Sequence, residues 1–75
     1  MENLKVGDHI LYQSWRGELV NAKVEQIELC RHVNQKNGKV VQSVSLDDIN
    51  RTTLCMDNWH WCYGYQVFCI NGRRI

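Results

Sequence analysis

Seventy-five residues, 44% of them hydrophobic, with no proline and a formal net charge of +1, describe one small globular domain rather than a disordered or multidomain chain. A chain of this length buries only about 60% of the surface its unfolded form exposes, which leaves little room for the deep, water-excluding cleft of an enzyme. Near-zero charge argues against a dedicated nucleic-acid-binding protein, though a local basic stripe remains compatible with it.

The opening residues Met1-Glu2-Asn3-Leu4-Lys5-Val6 lack the apolar run of a secretory signal. No stretch reaches the roughly 18 apolar residues that a membrane span requires. The expectation is a cytoplasmic protein with no membrane association, whose four cysteines are reduced thiols. Helical periodicity is missing throughout, whereas strand signals recur.

Val6-Gly7-Asp8 reads as a turn into a strand at His9-Ile10-Leu11-Tyr12, followed by a loop at Ser14-Trp15-Arg16-Gly17. A long strand is expected over residues 18–31. Its alternation runs through Val20, Ala22 and Val24 and then changes phase to Ile27 and Leu29. That one-residue slip near Glu25-Gln26 predicts a β-bulge, the device that bends a strand round a barrel corner.

Asn37-Gly38, flanked by β-formers, predicts a two-residue type I′ hairpin, because both residues accept positive φ. The next strand covers residues 39–46, with Val40, Val44 and Leu46 on one face and Val41 on the other. In Ser45-Leu46-Asp47-Asp48 a serine precedes an acid by three residues, a capping pattern that predicts one short helical turn around Asp48-Ile49. A hairpin over residues 52–63 has Asp57-Asn58 at its tip. Gly64-Tyr65-Gln66 then reads as a 3₁₀ turn, residues 67–70 as the closing strand, and residues 71–75 as a frayed tail.

This succession predicts a single all-β domain over residues 1–75: a small five- to six-stranded barrel with a short 3₁₀ turn before its last strand. On Val6-Gly7-Asp8-His9-Ile10-Leu11-Tyr12, Gly17 and Ala22-Lys23-Val24-Glu25-Gln26-Ile27, the chain resembles the SH3-like barrel group that includes Tudor-type and KOW-type modules. It also resembles small bacterial proteins that end on a Trp-x-Tyr-Gly-Tyr-Gln-Val pattern, here Trp61-Cys62-Tyr63-Gly64-Tyr65-Gln66-Val67. These resemblances imply an SH3-like fold and leave function to be argued from the residues.

If Asp57-Asn58 is a two-residue turn, Met56 pairs with Trp59, Cys55 with His60, Leu54 with Trp61, Thr53 with Cys62 and Thr52 with Tyr63. Leu54, Met56, Trp59, Trp61 and Tyr63 then share a face that reads as core, and Thr53, Cys55, His60 and Cys62 share the other. Two tryptophans and a tyrosine are bulky for so small a core. The rim of that face is therefore the candidate ligand-binding surface: Trp59 at the tip, with Trp15, Tyr65 and Tyr12 as neighbours. Exposed rings on small barrels bind extended peptides, methylated cations or unstacked bases.

Cys55, His60 and Cys62 on one side of a hairpin suggest zinc, with Cys30, His32 or Cys69 as a fourth ligand. No Cys-x-x-Cys knuckle supports that, so the thiols read as small buried hydrophobes, with no metal or cofactor expected. Nothing sets a thiolate beside a base, so no catalytic residue is expected and the chain is not read as an enzyme. Lys36 and Lys39 give the Asn37-Gly38 tip a basic character, which ordinarily serves solubility and edge protection. The alternative makes Lys36, Lys39 and the aromatic rings a nucleic-acid surface, weakened by Glu25, Glu28, Asp47 and Asp48 nearby in sequence. The sequence thus reads as a non-catalytic binding module for a protein or peptide. A nucleic-acid-binding accessory protein, or a structural subunit of a larger assembly, is the alternative, and the oligomeric state is open.

Overall fold

The computed structural model describes residues 3–75, and the fold they form is all-β. β1 (Asn3–Lys5), β2 (His9–Gln13), β3 (Leu19–Leu29), β4 (Lys39–Val41) and β5 (Ser43–Ser45) precede a 3₁₀ turn at Leu46–Arg51. β6 (Thr52–Met56) and β7 (Trp61–Tyr63) lead to a second 3₁₀ turn at Gly64–Gln66, then β8 (Val67–Ile70) and β9 (Arg73–Arg74). Among the described residues no helix is long and apolar enough to cross a membrane.

β3 organises the sheet because its two halves pair with different strands. The first half runs against β2, from His9↔Lys23 to Gln13↔Leu19. The second half pairs with β6, and residues 27–29 also pair with β4 on the opposite edge. Inward positions fall at Ala22, Val24 and Ile27, and the ladder to β6 shifts register between Val24 and Gln26. The bulge expected from the change of phase is therefore present, and it bends β3 between its two sets of partners.

The hydrogen-bonded order is β7-β6-β3-β2-β8-β9, with β1 and β5 forming a separate two-stranded sheet. No strand pair joins β7 to β8, so the sheet stays open among the described residues. The Gly64–Gln66 turn bridges that gap. Gln66 Oε1 accepts from the Tyr63 backbone N–H at 2.9 Å, and Gln66 Nε2 donates to the Gln13 carbonyl at 2.7 Å. The core between the sheets is built on Leu4, Ile10, Tyr12, Val24, Ile27 and Leu54, all nearly or fully buried. Leu4 on β1 and Val44 on β5 belong to it, although β1 was not anticipated from the sequence.

Ser45 caps the Leu46–Arg51 turn as expected, its Oγ accepting from the Asp47 N–H at 3.2 Å. Three expectations are corrected. Asn37-Gly38 is not a two-residue hairpin: residues 30–38 form the whole β3–β4 connection, and only Asn37 of the pair has positive φ, at +61°. Gly38 is required there for space, since a Cβ would collide with the Leu29 carbonyl group and Cys30 Sγ. The strand expected over 39–46 is broken at Gln42, whose carbonyl accepts from the Val6 N–H at 3.0 Å. The chain changes sheets at that point, so Val40 is exposed while Val41 and Val44 both turn inward.

The third correction is the tail. Asn71 and Gly72, at φ +51° and +82°, make the two-residue turn that had been expected at 37–38, and β9 pairs back on β8. Asn71 locks this hairpin to β2: its N–H donates to the His9 carbonyl at 2.7 Å and its Oδ1 accepts from the His9 N–H at 2.9 Å.

Gly64 places the second 3₁₀ turn directly against the first, where a Cβ would overlap the Ile49 carbonyl oxygen and Thr52 Oγ1. Gly64→Ala is therefore expected to destabilise the fold by about 1–3 kcal/mol, as overpacking against backbone does. Urea unfolding measures it, and an unchanged midpoint would contradict the close approach.

Candidate functional site

The hairpin between β6 and β7 sets the geometry of the site. Thr53 pairs with Tyr63, Leu54 with Cys62 and Cys55 with Trp61, and the Met56 N–H donates to the His60 carbonyl at 3.0 Å. The loop is consequently residues 57–59, one residue longer than the sequence suggested. Its last residue, Trp59, takes φ +70°, the left-handed position that closes a three-residue hairpin loop. Because side chains alternate along a strand, this one-residue difference turns β7 over relative to β6. Cys62 joins Leu54 and Met56 in the core, while Trp61 and Tyr63 move to the outer face beside Thr53 and Cys55.

The loop is fastened on both sides. Asp57 exchanges bonds with Lys23, its N–H donating to the Lys23 carbonyl at 2.9 Å and its Oδ1 accepting from the Lys23 N–H at 3.1 Å. Asn58 Oδ1 accepts from the His60 N–H at 3.1 Å, and Asn58 Nδ2 donates to the Tyr12 hydroxyl at 3.2 Å. Trp59 itself is 97% exposed. A bulky side chain in that left-handed conformation costs about 1–2 kcal/mol, and no burial of the indole offsets it.

Four rings from three elements meet on the outer face. Trp15 of the β2–β3 loop packs edge-on against Trp61 and Tyr63, with centroids at 5.5 and 5.8 Å. Trp61 and Tyr63 meet at 5.2 Å and 84°, and Tyr65 of the second 3₁₀ turn stacks on Tyr63 at 5.5 Å and 20°. Perpendicular and offset contacts of this kind are the favourable arrangements for aromatic quadrupoles. Lys36 closes over the group, its Nζ 3.9 Å from the Trp61 centroid. The 30–38 connection that carries Lys36 is held down at Gln35, whose carbonyl accepts from Thr53 Oγ1 at 2.9 Å and Cys30 Sγ at 3.3 Å.

Beside these rings lies an open groove of about 610 Å³, with Trp15, Trp61 and Val20 as apolar lining and Arg16, Glu18 and His60 as polar groups. Of the residues named from the sequence, Trp15 is 61% and Tyr65 44% exposed. Tyr12 is only 2% exposed, so it is a core residue that borders the groove rather than an open ring on it. Trp59 stands clear of the groove, although its chain neighbours Asn58 and His60 line it. Of the two lysines, Lys36 is the one that reaches a ring, and Lys39 begins β4 opposite Leu29. A two-residue turn predicts Trp61 and Tyr63 in the core, and the longer loop places them outside it. A glycine at position 59 would have announced the longer loop, and tryptophan there concealed it.

Cys62 and Cys55 lie on opposite faces, so Cys55, His60 and Cys62 do not share one. Burial, with a smaller contribution from the neighbouring Cys55, pushes the Cys62 thiol up to about 12. Burial and then the Glu28 carboxylate raise Cys55 as well. Among the described residues no three His, Cys, Asp or Glu side chains are grouped as metal ligands would be. In comparisons with protein-family models, curated proteins and solved structures, the chain matches none of them.

A thiol whose pKa is raised by folding keeps in the folded state a proton that the unfolded chain releases above its ordinary value of 9.0. Stability is thus unaffected below about pH 9 and falls as the pH climbs towards 12. Thermal unfolding of the parent and Cys62→Ala across that interval is expected to show a flatter decline in the variant, and parallel curves would remove Cys62 as the cause.

Proposed function

We propose that this chain is a non-catalytic binding module of SH3-like architecture, whose outer aromatic groove recognises a protein or peptide segment. Support for the architecture comes from the meander β2-β3-β6-β7, with its bulged β3, and from the 3₁₀ turn that leads to β8 beside β2. In that reading β4 and β5 are an excursion between the second and third strands, and β1 and β9 are additions at the margins.

The observation that carries the binding assignment is the chain of four contacting rings, Trp15, Trp61, Tyr63 and Tyr65, held on the outer face beside an open groove. A soluble domain ordinarily hides such rings, and apolar walls with a few polar rim groups are how recognition grooves are built. Aromatic anchors dominate binding energy because each brings large area with few rotatable bonds.

One observation favours a second reading. Lys36 lies on Trp61 and Arg16 lines the groove, so cations flank stackable rings, as single-stranded nucleic acids require. Amide and indole spectra of labelled protein, titrated with acidic, basic and proline-rich peptides and with a short oligothymidine, separate the two. Peptide binding is expected to shift the Trp15 and Trp61 indole signals, and Trp61→Ala to weaken it about tenfold or more. Preference for oligothymidine, with steep loss in salt and on Lys36→Ala, would transfer the assignment to nucleic acid. No response to any of these would overturn both.

A further inference from the structure

We propose that the groove accepts a second copy of this chain, each copy inserting its Trp59 indole into the groove of the other across a two-fold axis. This rests on the reading of the groove as a binding site and names its occupant.

Trp59 is the reason. It is 97% exposed, and it holds φ +70°, a conformation that glycine would adopt without cost. Within the monomer this side chain stabilises nothing. Yet the loop that presents it is fastened through Asp57 to Lys23 and through Asn58 to Tyr12. A fully exposed aromatic on a tip whose backbone is already held is the form of a binding anchor, since only the indole's own rotamers remain to be ordered on association.

The receptor for that anchor lies next to it. Asn58 and His60, the residues on either side of Trp59, both line the groove. When a projection and a recess adjoin on one surface, a two-fold axis between two copies fills both recesses at once and closes the assembly at a dimer. The volume of about 610 Å³ admits an indole, with Trp15 and Trp61 as aromatic walls for edge-to-face packing and Glu18 as an acceptor for its N–H. Charge agrees as well: Asp57 accompanies Trp59 on the tip, and Arg16 lines the groove that the tip would approach. An indole contributes about 150–250 Å² of buried surface, so two of them with their rims form an interface at the small end of specific complexes. The dimer is accordingly weak and reversible.

Sedimentation velocity from about 10 µM to 1 mM tests this directly, that span covering the weak affinities such an interface supports. The parent chain is expected to pass from monomer to dimer within it. Trp59→Gly is expected to stay monomeric throughout and to unfold at a higher urea midpoint, because glycine relieves the backbone. That pairing of lost association with gained stability separates a missing contact from a damaged fold. Trp61→Ala, with its own tip intact but one aromatic wall of each groove removed, is expected to be monomeric over the same range while unfolding without the gain in urea midpoint seen for Trp59→Gly. Persistence of the dimer in Trp59→Gly, or a monomeric parent at the highest concentration, would overturn the proposal. If the parent is monomeric while peptides still shift the Trp15 and Trp61 indoles, self-recognition falls and the groove assignment stands; if neither occurs, both fall.

Discussion

The Met56 N–H reaches the His60 carbonyl across three loop residues, and this single bond fixes which way β7 faces. With it in place, Cys62 is the residue opposite Leu54, and a small thiol fills the space available in a core already holding Leu54 and Met56. The register with one loop residue fewer would drive Trp61 and Tyr63 into that space, and a domain of this size has no volume for two more rings. Packing thus selects the longer loop, and the longer loop forces Trp59 into positive φ. The exposed aromatic face, the groove and the strained tip all follow from one steric constraint in the core.

The site and the core are therefore the same structure seen from two sides. Tyr12 demonstrates it: the ring is packed inside while its hydroxyl accepts from the Asn58 amide that shapes the hairpin tip. Gln66 does the equivalent at the other end, tying Tyr63 and β2 together across the open seam of the sheet. The stacked Tyr63–Tyr65 pair is held by that turn, and the turn exists only because Gly64 lets it approach Ile49. Substitutions beneath the aromatic face consequently move the face itself.

What was legible in the sequence was local in origin. The change of phase in β3, the serine cap at Ser45 and the turn at Gly64–Gln66 depend on residues within a few positions of one another, and each is where the pattern placed it. The two Asn-Gly pairs show where local chemistry runs out. Both permit a type I′ turn, but only Asn71-Gly72 makes one, because Asn71 finds two backbone partners on His9 far away in sequence. At Asn37-Gly38 the neighbours are the Leu29 carbonyl and the Glu28 carboxylate, which accepts from the Asn37 N–H at 3.0 Å and folds the segment into a longer loop. The same limit hid the aromatic site, whose four rings come from three elements that alternation along one strand cannot bring together.

Lys36 shapes what the aromatic face can accept. Its ammonium lies against the negative π-face of Trp61, so part of that ring's attraction for cations is already satisfied within the molecule. Arg16 brings a positive charge to the groove itself, against the single carboxylate of Glu18 among the groove's lining residues. A cationic ligand would have to overcome Arg16 and would find Trp61 already engaged by Lys36, whereas an apolar or aromatic group carrying an acid meets ring surface and a favourable field. A tryptophan with a carboxylate close beside it in sequence fits that description, and the tip of this chain, Asp57-Asn58-Trp59, carries both within three residues.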